Sequence, residues 1–67
     1  MTTVVRFLRL AEVEGLVGLR KSAIYSRIAR DDFPKPIPLG DKPNSPVGFL
    51  ESEIAIWQQS RLSKRTA

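Results

Sequence analysis

The sequence predicts a mainly α domain with one small β-hairpin, in the order helix, helix, hairpin, helix. Three observations lead there. Two short segments with apolar residues at helical spacing, Leu10 to Val17 and Lys21 to Arg30, meet at a glycine-containing turn, Gly18-Leu19-Arg20. All five prolines fall between Phe33 and Phe49, so that stretch is not helix. A last segment, from Glu51 or Ser52 to about Ser63, returns to helical spacing, with acid at its start and base near its end. Sixty-seven residues leave room for one domain with one small core. That domain is expected to span residues 6–62, with flexible ends at 1–5 and 63–67.

Val4 to Leu10 is apolar and β-branched with interspersed Arg, which suits a short strand or an extended arm. In the first helix, Leu10, Val13, Leu16 and Val17 fall on one face, while Glu12 and Glu14 point outward. Gly15 weakens this helix by about 1 kcal/mol relative to Ala, and Gly18 is placed to end it in a left-handed conformation. In the second helix, Ile24 and Ile28 lie one turn apart on a buried face. At about 100° per residue, Ser22, Ser26 and Ala29 face the opposite way, with Tyr25 at the boundary.

Pro34 holds Phe33 extended. Ile37 and Leu39 alternate as an edge strand facing a core would. Gly40 to Pro46 is a turn cluster, and Val47 to Leu50 forms the second strand of a hairpin with a polar tip. In the last helix, Leu50, Ile54, Trp57 and Arg61 share a face, which assigns Trp57 to the core and brings Arg61 in through its aliphatic stem. Ile56 lies about 200° from Ile54 and is expected to face solvent, as an ordinary surface residue or as a contact between protomers.

Lys and Arg number 11 against 7 Asp and Glu, for a net charge of +4, and the pI is about 10.1. A small basic domain favours polyanionic partners, nucleic acid first. With no Cys and no His, the chain has no disulfide framework and lacks the commonest zinc ligands and the commonest general base. Its carboxylates fall on outward faces or in turns, its Ser residues have no evident base, and no Gly-rich phosphate loop is present. An enzyme is therefore the weakest functional class. No cofactor, metal or small-molecule ligand is expected. No apolar run approaches the ~20 residues of a membrane span, and no signal peptide is visible, so a cytoplasmic protein without membrane contact is the expectation.

The second helix carries the functional reading. Its outer face is small, polar and aromatic, without an acidic side chain, and Arg20 and Lys21 stand at its start. A helix entering the major groove of double-stranded DNA needs this combination of apolar inside, short hydrogen-bonding residues outside and positive charge near the phosphates. The candidate DNA-binding residues are Arg20, Lys21, Ser22, Tyr25, Ser26 and Arg27, with Lys35 and Lys42 on the hairpin. Arg27 serves equally as a surface salt-bridge partner, and Arg6, Arg9, Lys64 and Arg65 read as general surface charge. The rival of another class is a protein-interaction adaptor without specific DNA binding, using the Pro-rich hairpin and Ile56.

The order of blocks also resembles a known family. Phe7-Leu8-Arg9-Leu10, Glu12-Val13, Gly18-Leu19, Lys21-Ser22-Ala23-Ile24-Tyr25, Phe33-Pro34-Lys35-Pro36 and Glu51-Ser52-Glu53-Ile54 with Trp57 resemble, in order and spacing, the AlpA-type phage regulators. These are relatives of the excisionase and MerR-like winged helix-turn-helix domains. The chain departs from the pattern at Arg20, where the family often has a Ser N-cap, at Ser26, where it often has a basic residue, and at Arg27, where it often has an apolar one. Its hairpin tip, Asp41 to Pro46, is also longer and richer in proline. The resemblance implies a sequence-specific regulator of a phage or prophage that binds double-stranded DNA, with a homodimer or a cooperative multimer on DNA as the open assembly states. The second helix (about 21–30) would enter the major groove, and the hairpin, or wing (about 37–50), would lie on the backbone. An excisionase-like directionality factor for site-specific recombination is the alternative the resemblance leaves open.

Overall fold

The computed structural model of the chain describes residues 3–65. Its elements are β1 (Phe7–Leu8), α1 (Leu10–Val17), α2 (Lys21–Ala29), β2 (Ile37–Pro38), β3 (Val47–Leu50) and α3 (Glu51–Ser63). The order helix, helix, hairpin, helix is present, and of the segment Val4 to Leu10, left open between strand and arm, Phe7–Leu8 pairs as a strand. The flexible ends expected at 1–5 and 63–67 lie in part outside the described residues.

β3 is the middle strand of an antiparallel sheet of order β1-β3-β2. Phe7 lies opposite Leu50 and Leu8 opposite Phe49 on one side, and Ile37 opposite Gly48 and Pro38 opposite Val47 on the other. The Leu39 N–H donates to the Pro46 carbonyl at 2.8 Å, so alternation along β2 turns positions 36 and 38 to the outer edge. Both are proline, a residue tolerated on edge strands because it has no N–H to donate. Gly48 suits a close approach: a Cβ there would lie 3.1 Å from Phe7 Cβ and 3.3 Å from a Leu39 methyl, so those side chains would have to give slightly.

Helix ends are set by local chemistry. At the start of α1, the Glu12 carboxylate accepts from the Arg9 N–H at 3.0 Å, which is one half of a capping box. Arg6 spans the same carboxylate and that of Glu51, at 3.6 and 3.4 Å. Gly18 ends α1 at φ 73°, ψ 22°, and its N–H donates to the Glu14 carbonyl at 2.9 Å. α3 leaves β3 without a loop, Leu50 being its N-cap. The N–H of Glu51 is satisfied by the Arg6 carbonyl at 2.9 Å, so strand pairing supplies part of what a capping side chain would.

The core is Leu8, Val13, Ile24, Phe33, Phe49 and Ile54, with Leu10, Val17, Leu19, Ile28 and Trp57 packed against it. Each of the three helices and two of the strands supply a member, and Phe33 comes from the loop that begins the wing. The Phe33 ring meets Phe49 edge-on at 6.1 Å and Trp57 at 4.8 Å, separations at which aromatic pairs attract beyond simple burial. Trp57 is half-buried rather than enclosed, and its indole N–H donates to the Asp32 carbonyl at 3.1 Å.

Three expectations are corrected. Leu16 is 54% exposed, because it sits about 60° beyond Val13 on the flank of the buried stripe. Leu39 is also exposed; it covers Gly48 instead of reaching the core. Arg61 is exposed, one turn beyond Trp57, where the core has ended.

Gly15 and Gly18 have opposite requirements. A Cβ would meet nothing within 4 Å at either, but only Gly18 has a positive φ. Gly15→Ala is expected to stabilise the domain by up to about 1 kcal/mol, and Gly18→Ala to destabilise it by about 1 kcal/mol. In thermal melts, the two should shift the midpoint in opposite directions by about 4–8 °C. Shifts of the same sign would refute the assignment. Trp57→Ala removes the aromatic contact and the indole donor together and is expected to cost about 3 kcal/mol. That is most of what so small a core supplies, so the variant should lose its cooperative near-ambient fold by circular dichroism. Melting close to the wild-type temperature would show that Trp57 is dispensable.

Candidate nucleic-acid interface

α2 owes its position to Ile24, which is fully buried, and to Ile28, which packs at the core margin. The side opposite these residues is exposed. Ser22, Ser26 and Ala29 lie on that side, with Tyr25 at its edge, and Lys21 is exposed at the first turn of the helix beside them. Tyr25 is 38% exposed, which puts the ring at the edge of the stripe as its spacing predicted.

The beginning of α2 is electrostatically bare. Arg20 is the N-cap in extended conformation, at φ −79° and ψ 162°, and its side chain makes no cap hydrogen bond. No acidic residue stands in the first turn. The departure noted at this position therefore has a structural consequence: first-turn N–H groups lack a capping side chain, beside the two cations Arg20 and Lys21. Free N–H groups and the positive end of the helix dipole form an anion-attracting site.

The end of α2 is tightly tied. The Asp31 N–H donates to the Ile28 carbonyl at 3.0 Å and the Asp32 N–H to the Arg27 carbonyl at 2.8 Å. Asp31 has φ 61°, so it takes the left-handed position usually held by Gly in such a termination. The Arg27 guanidinium donates to the Asp32 carboxylate at 3.0 Å and is only 27% exposed. Arg27 is thus held toward the exit of α2, on the flank away from Tyr25.

The remaining candidates lie on the wing side. Lys35 faces Asp31 at 3.8 Å, both side chains being exposed. Lys42 is exposed at the wing tip, where its N–H donates to the Ser45 hydroxyl at 3.0 Å and its carbonyl accepts from the Ser45 N–H at 3.0 Å. The structure thus brings Ser22, Tyr25 and Ser26 onto one exposed stripe with Arg20 and Lys21 at its head, and puts Arg27, Lys35 and Lys42 elsewhere. One residue was missed. Arg30 is exposed and follows Ser22 and Ser26 at successive i+4 steps, a spacing visible in the sequence. Among the described residues, no group of His, Cys, Asp or Glu is arranged to hold a metal ion, and no helix is long and apolar enough to cross a membrane.

Three helices around a small antiparallel sheet, with the second helix exposed along one polar stripe and a hairpin following it, define a small mainly α domain arranged as a winged helix-turn-helix. The chain belongs to the AlpA family: residues 6–62 match the family model described as prophage CP4-57 regulatory protein (AlpA). It is also 42% identical over 60 residues to an uncharacterized protein, ORF88, of Enterobacteria phage P4, a match covering 90% of this chain and 65% of that relative. No solved structure matches the chain significantly.

The bare helix start gives a direct test. Arg20→Ser restores an N-cap oxygen and is expected to raise stability by about 1 kcal/mol in urea unfolding. A neutral or destabilising result would mean that Arg20 already satisfies this end of the helix in another way.

Proposed function

We propose that this chain is a sequence-specific double-stranded-DNA-binding regulator of transcription of the phage or prophage type, acting in the cytoplasm. The observation that carries the reading is the exposed, acid-free stripe of α2, headed by an uncapped helix start with two cations. In this reading, α2 enters the major groove. Ser22, Tyr25 and Ser26 approach base edges, where short hydroxyl side chains bond to exposed donors and acceptors. Arg20 and Lys21, with the first-turn N–H groups, hold a phosphate at the groove wall. Lys42 at the wing tip and Lys35 at its base reach the backbone, and Arg30 extends the cationic line beyond Ser26. Arg27 acts chiefly through Asp32, fixing the angle at which the wing leaves α2. Membership of a regulatory family supports this reading, as does the net charge of +4.

If about 4–6 phosphates are neutralised per protomer, log K should fall against log salt with a slope of about −4 to −5. A fluorescence titration against the gene's own upstream DNA measures this, and a flat response would eliminate the phosphate clamp.

The roles within the stripe are separable. Lys21→Ala is expected to weaken specific and random DNA alike, because a phosphate contact carries no sequence information. Ser22→Ala and Tyr25→Ala should weaken the specific site more, by about 1–3 kcal/mol if a base contact is lost. Equal proportional losses in all three variants would show that the stripe does not read bases.

A further inference from the structure

A second surface lies on the other flank of α2. A groove of about 580 Å³ runs between the C-terminal ends of α1 and α3. Leu16 of α1 and Leu62 of α3 line it and remain 54% and 51% exposed, and half-buried Leu19 adds to its apolar lining. Gln58 ties the two helices together here, its side-chain amide donating to the Leu16 carbonyl at 3.1 Å. The charged residues lining the groove are Arg27, Arg61 and Arg65, and no carboxylate lines it. Arg27 is paired with Asp32, whereas Arg61 and Arg65 have no ion pair among the described residues.

We propose that this groove binds an acidic amphipathic helix of a partner protein. Two exposed leucines on neighbouring helices suit apolar anchors spaced i, i+3 or i+4 along a helix laid between them. The unpaired guanidinium groups beside them suit carboxylates, to which Arg presents a matching fork of donors. The DNA backbone fits less well, since phosphate contacts are polar and would leave both leucines uncovered. A second copy of the chain also fits less well. Its exposed apolar residues beside acid on α3 are Ile56, near Glu53, and Val4 and Val5, near Glu51; of these carboxylates and their neighbours, Glu51, Asp31 and Asp32 are already ion-paired, leaving Glu53. Arg27 lies about 200° around α2 from Tyr25, so the groove and the polar stripe are separate surfaces. A peptide can occupy one while DNA occupies the other.

The test is a fluorescence-anisotropy titration, without DNA, of a stapled helical peptide carrying Leu at i, i+3 and i+7 and Glu at its exposed positions. The comparison peptide has Lys in place of Glu. The acidic peptide is expected to bind saturably, and the Lys peptide at least about tenfold more weakly. The Leu16→Gln/Leu62→Gln and Arg61→Glu/Arg65→Glu variants should each weaken the acidic peptide by about tenfold or more. All four positions are exposed, so the variants are expected to fold, as circular dichroism would verify. Ile56→Gln, on the opposite flank, should leave the affinity unchanged. Equal binding of the two peptides, or an equal loss with Ile56→Gln, overturns the proposal. So does sedimentation showing that the leucine variants abolish self-association of the chain, which would make a second copy the occupant. Loss of DNA affinity in Arg61→Glu/Arg65→Glu with peptide binding intact overturns it as well. Because the peptide titration contains no DNA, its failure is distinguishable from failure of the DNA-binding reading.

Discussion

The middle strand β3 is the constraint on which the other elements depend. Phe49 and Leu50 pair with β1 on one side, and Val47 and Gly48 with β2 on the other. Strands so short have little stability of their own. They persist because Phe49, fully buried, lies between the sheet and the helices, and because α3 grows directly out of β3. Fixing β3 therefore fixes the direction of α3, and Ile54 and Trp57 come to the core one and two turns further on. Phe33 then closes the assembly, packing against both the Phe49 ring and Trp57.

The same contacts aim the candidate interface. Phe33 follows α2 by only a few residues, so its burial draws the chain sharply inward after the helix. The left-handed Asp31, the two carbonyl bonds ending α2 and the Arg27–Asp32 pair make this turn a defined one. The Asp32 carbonyl, in turn, is held by the indole of Trp57. The wing thus leaves α2 at an angle set by contacts with the core rather than by its own tip. An interface formed by a helix and a hairpin needs such a fixed angle, because both parts must meet one rigid ligand together.

Much of this was legible because the elements are punctuated strongly. Gly18, Pro34 and the run Gly40 to Pro46 separate α1 from α2, α2 from the wing and β2 from β3, and Ile24 with Ile28 gives α2 an unambiguous inner face, from which the exposed stripe follows by rotation. What was not legible depended on partners far away in sequence. Whether Val4 to Leu10 was an arm or a strand was decided by β3, more than forty residues later. Leu16 and Leu39 have the right spacing for burial but lie where the core has run out of depth. The partner of Arg27 was close in sequence, yet it became visible only once Asp31 took a left-handed conformation that propensity assigns to glycine. Arg30 needed only one more step of the Ser22–Ser26 spacing.

The prolines at 36 and 38 have a consequence beyond the turn they shape. A sheet grows into a ribbon or fibril only if each added unit offers a second edge for the next one, as a polymer needs bifunctional monomers. The outer edge of β2 presents carbonyls without a matching N–H donor, and β1, at the other side, is two residues long. Edge-to-edge pairing of two such molecules would end at the pair, with no live end to continue. An exposed strand edge is a template for pairing with another chain, and in this chain the sheet is chemically terminated against that hazard.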